Sequence, residues 1–202
     1  MNTEEVKVKI KINTFEELYG LAKKQFIEYE KVEGIDWKNY DFSIDTPEDQ
    51  LKFKDMLQIR FIEELTEADE ALRSGDMNHF KEEISDALNF FLAAMSMLGI
   101  DLNKLPKPCT SKVAFTIKVD IGFYQKKCWE LVYKVGHLCN LLKNRPWSQS
   151  NYLVSMLDFN KRLVELWSEF WYFLSIWFTD LDIFEMFGKK YTVNKFRMRS
   201  GY

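Results

Sequence analysis

The chain has 202 residues, 47% of them hydrophobic and 16% aromatic, with only 8 Gly and 4 Pro; that length can bury one core, and that composition excludes a turn-dense β protein or a disordered chain. A net charge of −3 excludes a surface given over to non-specific nucleic-acid binding, so no nucleic-acid partner is expected. The charge is unevenly placed: residues 189–202 carry five Lys or Arg and no acid, which leaves −8 on the preceding 188.

In chain order, the first helix is expected over 15–32, followed by a polar linker over 34–45. The stretch "TPED" (46–49) then sets Thr46 as N-cap and Pro47 at the first helical position, with acids in the first turn. That helix should run to about Arg73 and stop at "SGD". Gly75 supplies the left-handed residue that ends it, and Asp76 caps the next helix, which continues to Gly99. Residues 47–98 therefore read as an antiparallel helical hairpin. The segment 100–120 holds two prolines and a β-branched run, which suits an irregular connection with a short extended piece. Helix resumes near Ile121, breaks at "KNRPW" (143–147) and resumes over 152–178. A short helix over 182–187 leads into the basic tail. The expected fold is all-α, a single domain over 1–202, with a hairpin at 46–100, a second helical half at 121–187 and a tail at 188–202.

Residues 82–102 and 164–184 echo each other: an acid, a polar residue three later, an aromatic-aliphatic run and an acidic close. Ser168 replaces the aspartate in the second copy, so two pseudo-repeated hairpins are conceivable with one of them chemically equipped. The longest apolar run, "FWYFLSIWF" (170–178), is far short of the roughly 20 residues that span a bilayer, and the N-terminal stretch has no apolar signal region. No membrane partner is expected. Three cysteines without ligand-like spacing suit reduced, buried thiols in a cytoplasmic protein.

"EELTEADEAL" (63–72) spends five of ten residues on carboxylates. At about 100° per residue, Glu64 falls among Leu57, Ala68 and Ala71, and Glu67 lies at the edge of that sector. On the partner helix Glu83 falls among Ala87, Phe90 and Ala94, with Asp86 at the border. Glu67 and Glu83 each lie 8 residues from Gly75, and Glu64 and Asp86 each lie 11 from it, so an antiparallel pair brings the four together at two matched heights. Desolvated carboxylates that close together either take up protons or gather round a cation. An isolated E-x-x-E is most often a solvated helix face; the inward angles, the matched heights and the adjacent alanines favour a metal site here. All-oxygen ligation suits Mg²⁺, or Mn²⁺, over Zn²⁺. In the tail, Lys190, Asn194 and Arg197 are spaced i, i+4, i+7, one stripe of donors able to hold an oligophosphate if the tail is helical, or otherwise a frayed terminus.

These residues carry a resemblance. "EELTE" followed by "EEISD" resembles the E-x-x-E and E-x-x-D pair of the all-α NTP pyrophosphohydrolase superfamily, which contains MazG-like enzymes and dimeric dUTPases. "KYTVNKFRMRSGY" is similar to the K-N-x-x-N-x-F-R-Q-x-x-G-Y ending of dimeric dUTPases and related phage dUTPase or dCTPase enzymes, and "LKNRPW" (142–147) is similar to phage members. The resemblance covers about residues 46–202. Tyr191, Met198 and Arg199 depart from the pattern. It implies Mg²⁺ ligation by Glu64, Glu67, Glu83 and Asp86, with Glu64 or Glu67 as catalytic base, and substrate contacts by Lys190, Asn194, Arg197 and Tyr202. It places Asn89 near the substrate. Gln25 on the first helix, outside the matching stretch, is a candidate amide for reading a base, or otherwise an exposed helical glutamine. The implied activity is hydrolysis of dUTP to dUMP and pyrophosphate; dCTP or a broad set of nucleotides is the alternative substrate, and an inactive helical interaction module the alternative class. The aromatic surplus of 170–178 suggests a homodimer. Trp147 is a candidate for stacking on a base, with buried packing the commoner use of such a ring; His79 and His137 receive no assigned role.

Overall fold

The computed structural model describes residues 10–32, 34, 44, 46–106, 120–142 and 156–200. Seven α-helices carry the fold: α1 (Phe15–Val32), α2 (Pro47–Lys54), α3 (Phe61–Ser74), α4 (Met77–Met97), α5 (Ile121–Asn140), α6 (Met156–Trp177) and α7 (Asp180–Ser200). No strand occurs among the described residues, and the protein is an all-α helical bundle. None of the described helices is long and apolar enough to cross a membrane.

The caps read from the sequence are in place. Thr46 accepts from the Asp49 amide at 3.1 Å while its own hydroxyl donates to the Asp49 carboxylate, which starts α2. Gly75 closes α3 at φ 78°, in the left-handed region that glycine enters without steric cost. Asp76 then accepts from the amides of Asn78 and His79, which fixes the hairpin of α3 and α4. Asp120, which was not picked out from the sequence, caps α5 through the Gly122 amide in the same way.

Two expectations need correction. The helix after Pro47 is not uniform: Asp55–Arg60 is a π-helical turn, closed by the Phe61 amide on the Met56 carbonyl five residues back. Its effect is to set Met56, Arg60 and Glu64 on one side while Leu57, Phe61 and Leu65 stay in the core. The tail is not a short helix followed by a loose end: α7 runs unbroken for 21 residues. Phe187, Tyr191 and Asn194 are buried on its inner face, and Gly188 lets it pass the backbone at Ile10, where a Cβ would come 3.0 Å from the carbonyl oxygen. The segment 100–106 contains a 3₁₀ turn, Leu102–Lys104; the expected extended piece, the break at 143–147 and the start of the following helix at 152 lie outside the described residues.

The core is built on α6. Phe170 sets its ring centroid 4.4 Å from that of Phe91, tilted, and 5.1 Å from that of Phe61, edge to face, and Trp171 and Trp167 meet Phe15 and Tyr19 of α1 at 5.1 and 5.5 Å between centroids. Trp167, Phe170, Trp171 and Phe173 are at most 1% exposed. One chain therefore absorbs the aromatic surplus that had suggested a dimer. Burial also pushes the Cys128 and Cys139 thiols up to about 12, which leaves both as inert, protonated packing groups. Cys109 lies outside the described residues.

Candidate metal and oligophosphate site

α1 and α7 both pack across α4, on the side where the hairpin turns its acids. α3 contributes Glu64, and α4 contributes Glu83, Asp86 and, one turn on, Asn89. Ligand oxygens of Glu64, Glu83 and Asp86 all lie within 4.8 Å of one another. Glu83 is 6% exposed, and Glu64 and Asp86 are half-buried. Glu67 stands apart: it is exposed at the rim, outside the close triad, though near enough for its charge to push up the carboxyls of Glu64 and Glu83.

The triad has the electrostatics of a site that lacks enough positive charge. Burial, a hydrogen bond with Glu83 and the charges of Asp86, Glu83 and Glu67 raise the Glu64 pKa from 4.5 to about 8. Two carboxylates can hydrogen-bond only if a proton sits between them, so the pair shares one. Glu83 is also raised, by burial, against the pull of its bond to Glu64 and of His79, whose Nδ1 lies 3.0 Å from Glu83 Oε1. Asp86 is raised by burial too, and Lys190 opposes this with an ion pair of 2.5 Å to Oδ2.

Beside the triad lies a cavity of about 490 Å³. Its walls include Gln25 and Tyr29 of α1, Arg60 of the π turn, Glu64, Asp86, Asn89, and Lys190, Asn194 and Arg197 of α7; Phe26, Met56, Phe90 and Ala93 give it an apolar side. Gln25 is buried, and its Nε2 donates to Asn89 Oδ1 at 3.1 Å, while Asn89 Nδ2 donates to the Ser85 carbonyl at 3.0 Å. Gln25 Oε1 is left buried without a partner, an acceptor facing no donor of the protein. Asn194 is 6% exposed and Arg197 is exposed.

Of the residues singled out from the sequence, Gln25, Glu64, Asp86, Asn89, Lys190, Asn194 and Arg197 thus line one cavity, and Glu83 completes the triad at its edge. Glu67 is on the rim, and Tyr202 and Trp147 lie outside the described residues. Sequence reasoning missed Tyr29, whose hydroxyl is close enough to Asp86 and Arg197 to feel both charges, and the ion pair of Lys52 with the buried Glu30. Glu30 had a signal, since it follows Phe26 at i+4 on the inward face of α1. His79 gave no hint of its contact with Glu83 beyond that same spacing. His137 lies against the Tyr133 ring on α5, away from the triad.

A set of three carboxylates, with a shared proton to give up, fits a hard divalent cation. The cationic and amide donors of α7 fit an anion on the facing side. No protein-family model, curated protein or solved structure matches the chain.

Proposed function

We propose that the chain is a Mg²⁺-dependent deoxynucleoside triphosphate pyrophosphohydrolase of the all-α superfamily that its motifs resemble, converting dUTP and water to dUMP and pyrophosphate. The observation that carries this is convergence: acids from α3 and α4, amides from α1 and α4 and cations from α7 border a single cavity large enough for a nucleotide. Anion-binding groups, cation-binding groups and an apolar wall are the three things that a metal-bound nucleoside triphosphate asks of a protein.

Glu64, Glu83 and Asp86 would hold Mg²⁺, or Mn²⁺ in its place, with Glu67 able to join from the rim. When bound, the ion supplies Lewis acidity that polarises the phosphates and acidifies the attacking water. Water attacks the α-phosphorus, its oxygen forms the new P–O bond, and the bond to the α–β bridging oxygen breaks, so that pyrophosphate leaves with the electron pair. Glu64 or Glu67 accepts the proton from the water. Lys190 and Arg197 balance the charge on the leaving pyrophosphate, and Asn194 donates from the buried face of α7. Phe26, Met56 and Phe90 would flank the base, and the unpartnered Gln25 Oε1 offers an acceptor for its N–H.

An enzyme of this kind works on the cytoplasmic nucleotide pool. A homodimer belongs to the same proposal on a new basis: Trp129 and Tyr133 of α5 are 70% and 61% exposed, and native mass spectrometry reads the assembly directly. The function is tested by incubating the protein with each deoxynucleoside triphosphate and Mg²⁺. The expected result is monophosphate plus pyrophosphate, fastest from dUTP. Fastest turnover of dCTP would move the assignment to cytosine, release of orthophosphate would overturn the reaction class, and no hydrolysis of any nucleotide would favour a helical interaction module.

A further inference from the structure

Two carboxylates of the triad already have a basic partner. Glu83 has His79 at 3.0 Å. Asp86 has Lys190, which arrives from α7, 104 residues further along the chain, and places Nζ 2.5 Å from Oδ2 with only 13% and 16% of the two side chains exposed. That last contact differs in kind, because it puts a full positive charge, little exposed, on one of three carboxylates whose ligand oxygens group within 4.8 Å. An independent sign that the adjoining cavity takes a ligand is Gln25, 6% exposed, lining it with a buried oxygen that has no donor.

We propose that Lys190 is a stand-in cation: it competes with the divalent ion for Asp86, and turns to the oligophosphate once the ion is in place. The inference rests on the metal-binding role of the triad proposed above. Inside a half-buried site, an ammonium and a divalent ion on the same carboxylate repel strongly, because water is too scarce to screen them. Lys190 is able to yield, since its charge is a compact head on a flexible four-carbon stem. Its neighbours on the same stripe, Asn194 and Arg197, line the cavity with it, so an ammonium released from Asp86 stays among the groups that would bind phosphate.

Two consequences follow from the exchange. Metal alone binds weakly, because it must break an ion pair that has nowhere else to go. An oligophosphate strengthens metal binding by giving Lys190 a new anion, and metal strengthens oligophosphate binding to the same degree. The pair also offsets part of the acid charge of the triad when no ion is bound.

Mn²⁺ titration without nucleotide, read from the free-ion signal by electron paramagnetic resonance, tests this in the intact protein. Lys190→Met is expected to bind Mn²⁺ about tenfold more tightly than the unmodified chain, within the range usual for coupled sites, and Lys190→Arg to bind as the unmodified chain does. Circular dichroism melting checks that each variant is folded. In the unmodified protein, saturating Mn²⁺ should raise the labelling of Lys190 by an amine-reactive reagent several-fold, read by mass spectrometry; this arm decides the matter should Lys190→Met fail to fold. A folded Lys190→Met variant that binds Mn²⁺ no more tightly, or unchanged Lys190 labelling, would overturn the stand-in role. If the unmodified protein binds Mn²⁺ and Glu83→Gln does not, the metal site survives that failure. If neither the unmodified chain nor Lys190→Met binds Mn²⁺, the metal site falls and the role of Lys190 falls with it.

Discussion

α3 with α4 and α5 with α6 are the two helix pairs of the bundle, and the second helix of each carries the same opening pattern, yet α4 borders a cavity and α6 fills a core. Glu83 and Asp86 of α4 are buried and half-buried; the aligned Glu165 and Ser168 of α6 are exposed. The small polar residues Ser85 and Asn89 of α4 align with Trp167 and Trp171 of α6, both at most 1% exposed. A helix with Ser and Asn beside its acids leaves room, and α1 and α7 roof that room over. A helix with two tryptophans in those places has spent the space on packing, and its acid turns to water. What separates a site from a solvated face is therefore not the acid but the size of its neighbours and the number of helices that cover it.

The largest effect that tests this contrast is on stability. Phe170→Ala removes the ring that joins α6 to Phe91 of α4 and Phe61 of α3, and should cost about 3–5 kcal/mol by denaturant unfolding. Tyr172→Ala, on the half-exposed side of the same helix, should cost under about 1 kcal/mol. Equal losses would mean that α6 is not the core helix described.

Next comes chemistry. Glu83→Gln should lower the kcat of Mg²⁺-dependent hydrolysis about 100-fold or more, since it removes a charge from the triad, while Glu165→Gln should stay within about twofold. A comparable loss in both variants would show that net acidity matters in place of the triad.

Much of this contrast was legible from residue order. The caps at Thr46 and Asp76 and the turn at Gly75 rest on local hydrogen bonds, which short sequence patterns specify. Counting outward from Gly75 set Glu64 level with Asp86, and both belong to the triad, because an antiparallel hairpin fixes heights once its turn is fixed; the same count set Glu67 level with Glu83, and there it failed, since Glu67 is exposed at the rim and Glu64 takes its place. The π turn at Asp55–Arg60 was not legible, since one extra residue in a helix leaves no mark on an apolar pattern that is already broad. The full length of α7 was missed for a different reason: its polar sequence hides a thin inner face of Phe187, Tyr191 and Asn194, and only the presence of α1 and α4 makes that face worth burying. The ion pairs of Lys190 with Asp86 and of Lys52 with Glu30 join distant parts of the chain, and no local pattern foretells such pairs.

A smaller effect separates the hairpins by pH. The Glu64 carboxyl is raised in the fold from 4.5 to about 8, so the metal-free protein gains stability from keeping it protonated, fully so below about 4.5, and loses that gain as pH climbs towards 8. Glu64→Gln should therefore be closer to the unmodified protein in stability at pH 5 and should stand relatively more stable at pH 8. Metal binding at pH 7 should release a proton, measurable as a dependence of the binding enthalpy on the buffer. A difference between the two proteins that does not change with pH would contradict the shared proton.

The smallest effects lie at the edges of the comparison. His79→Ala removes a contact that steadies Glu83 and should weaken Mn²⁺ binding by less than about tenfold. Ser168→Asp restores the missing acid to the second hairpin, on an exposed position, and should leave the Mn²⁺ stoichiometry unchanged. An added equivalent of bound metal would show that the acid alone makes the site.

Hydrolysis of dUTP in ¹⁸O-labelled water, with Mg²⁺ and mass analysis of both products, is the most direct test of the central claim. Attack by water at the α-phosphorus puts the label in dUMP and leaves pyrophosphate unlabelled. Label in pyrophosphate, or release of orthophosphate, would contradict it.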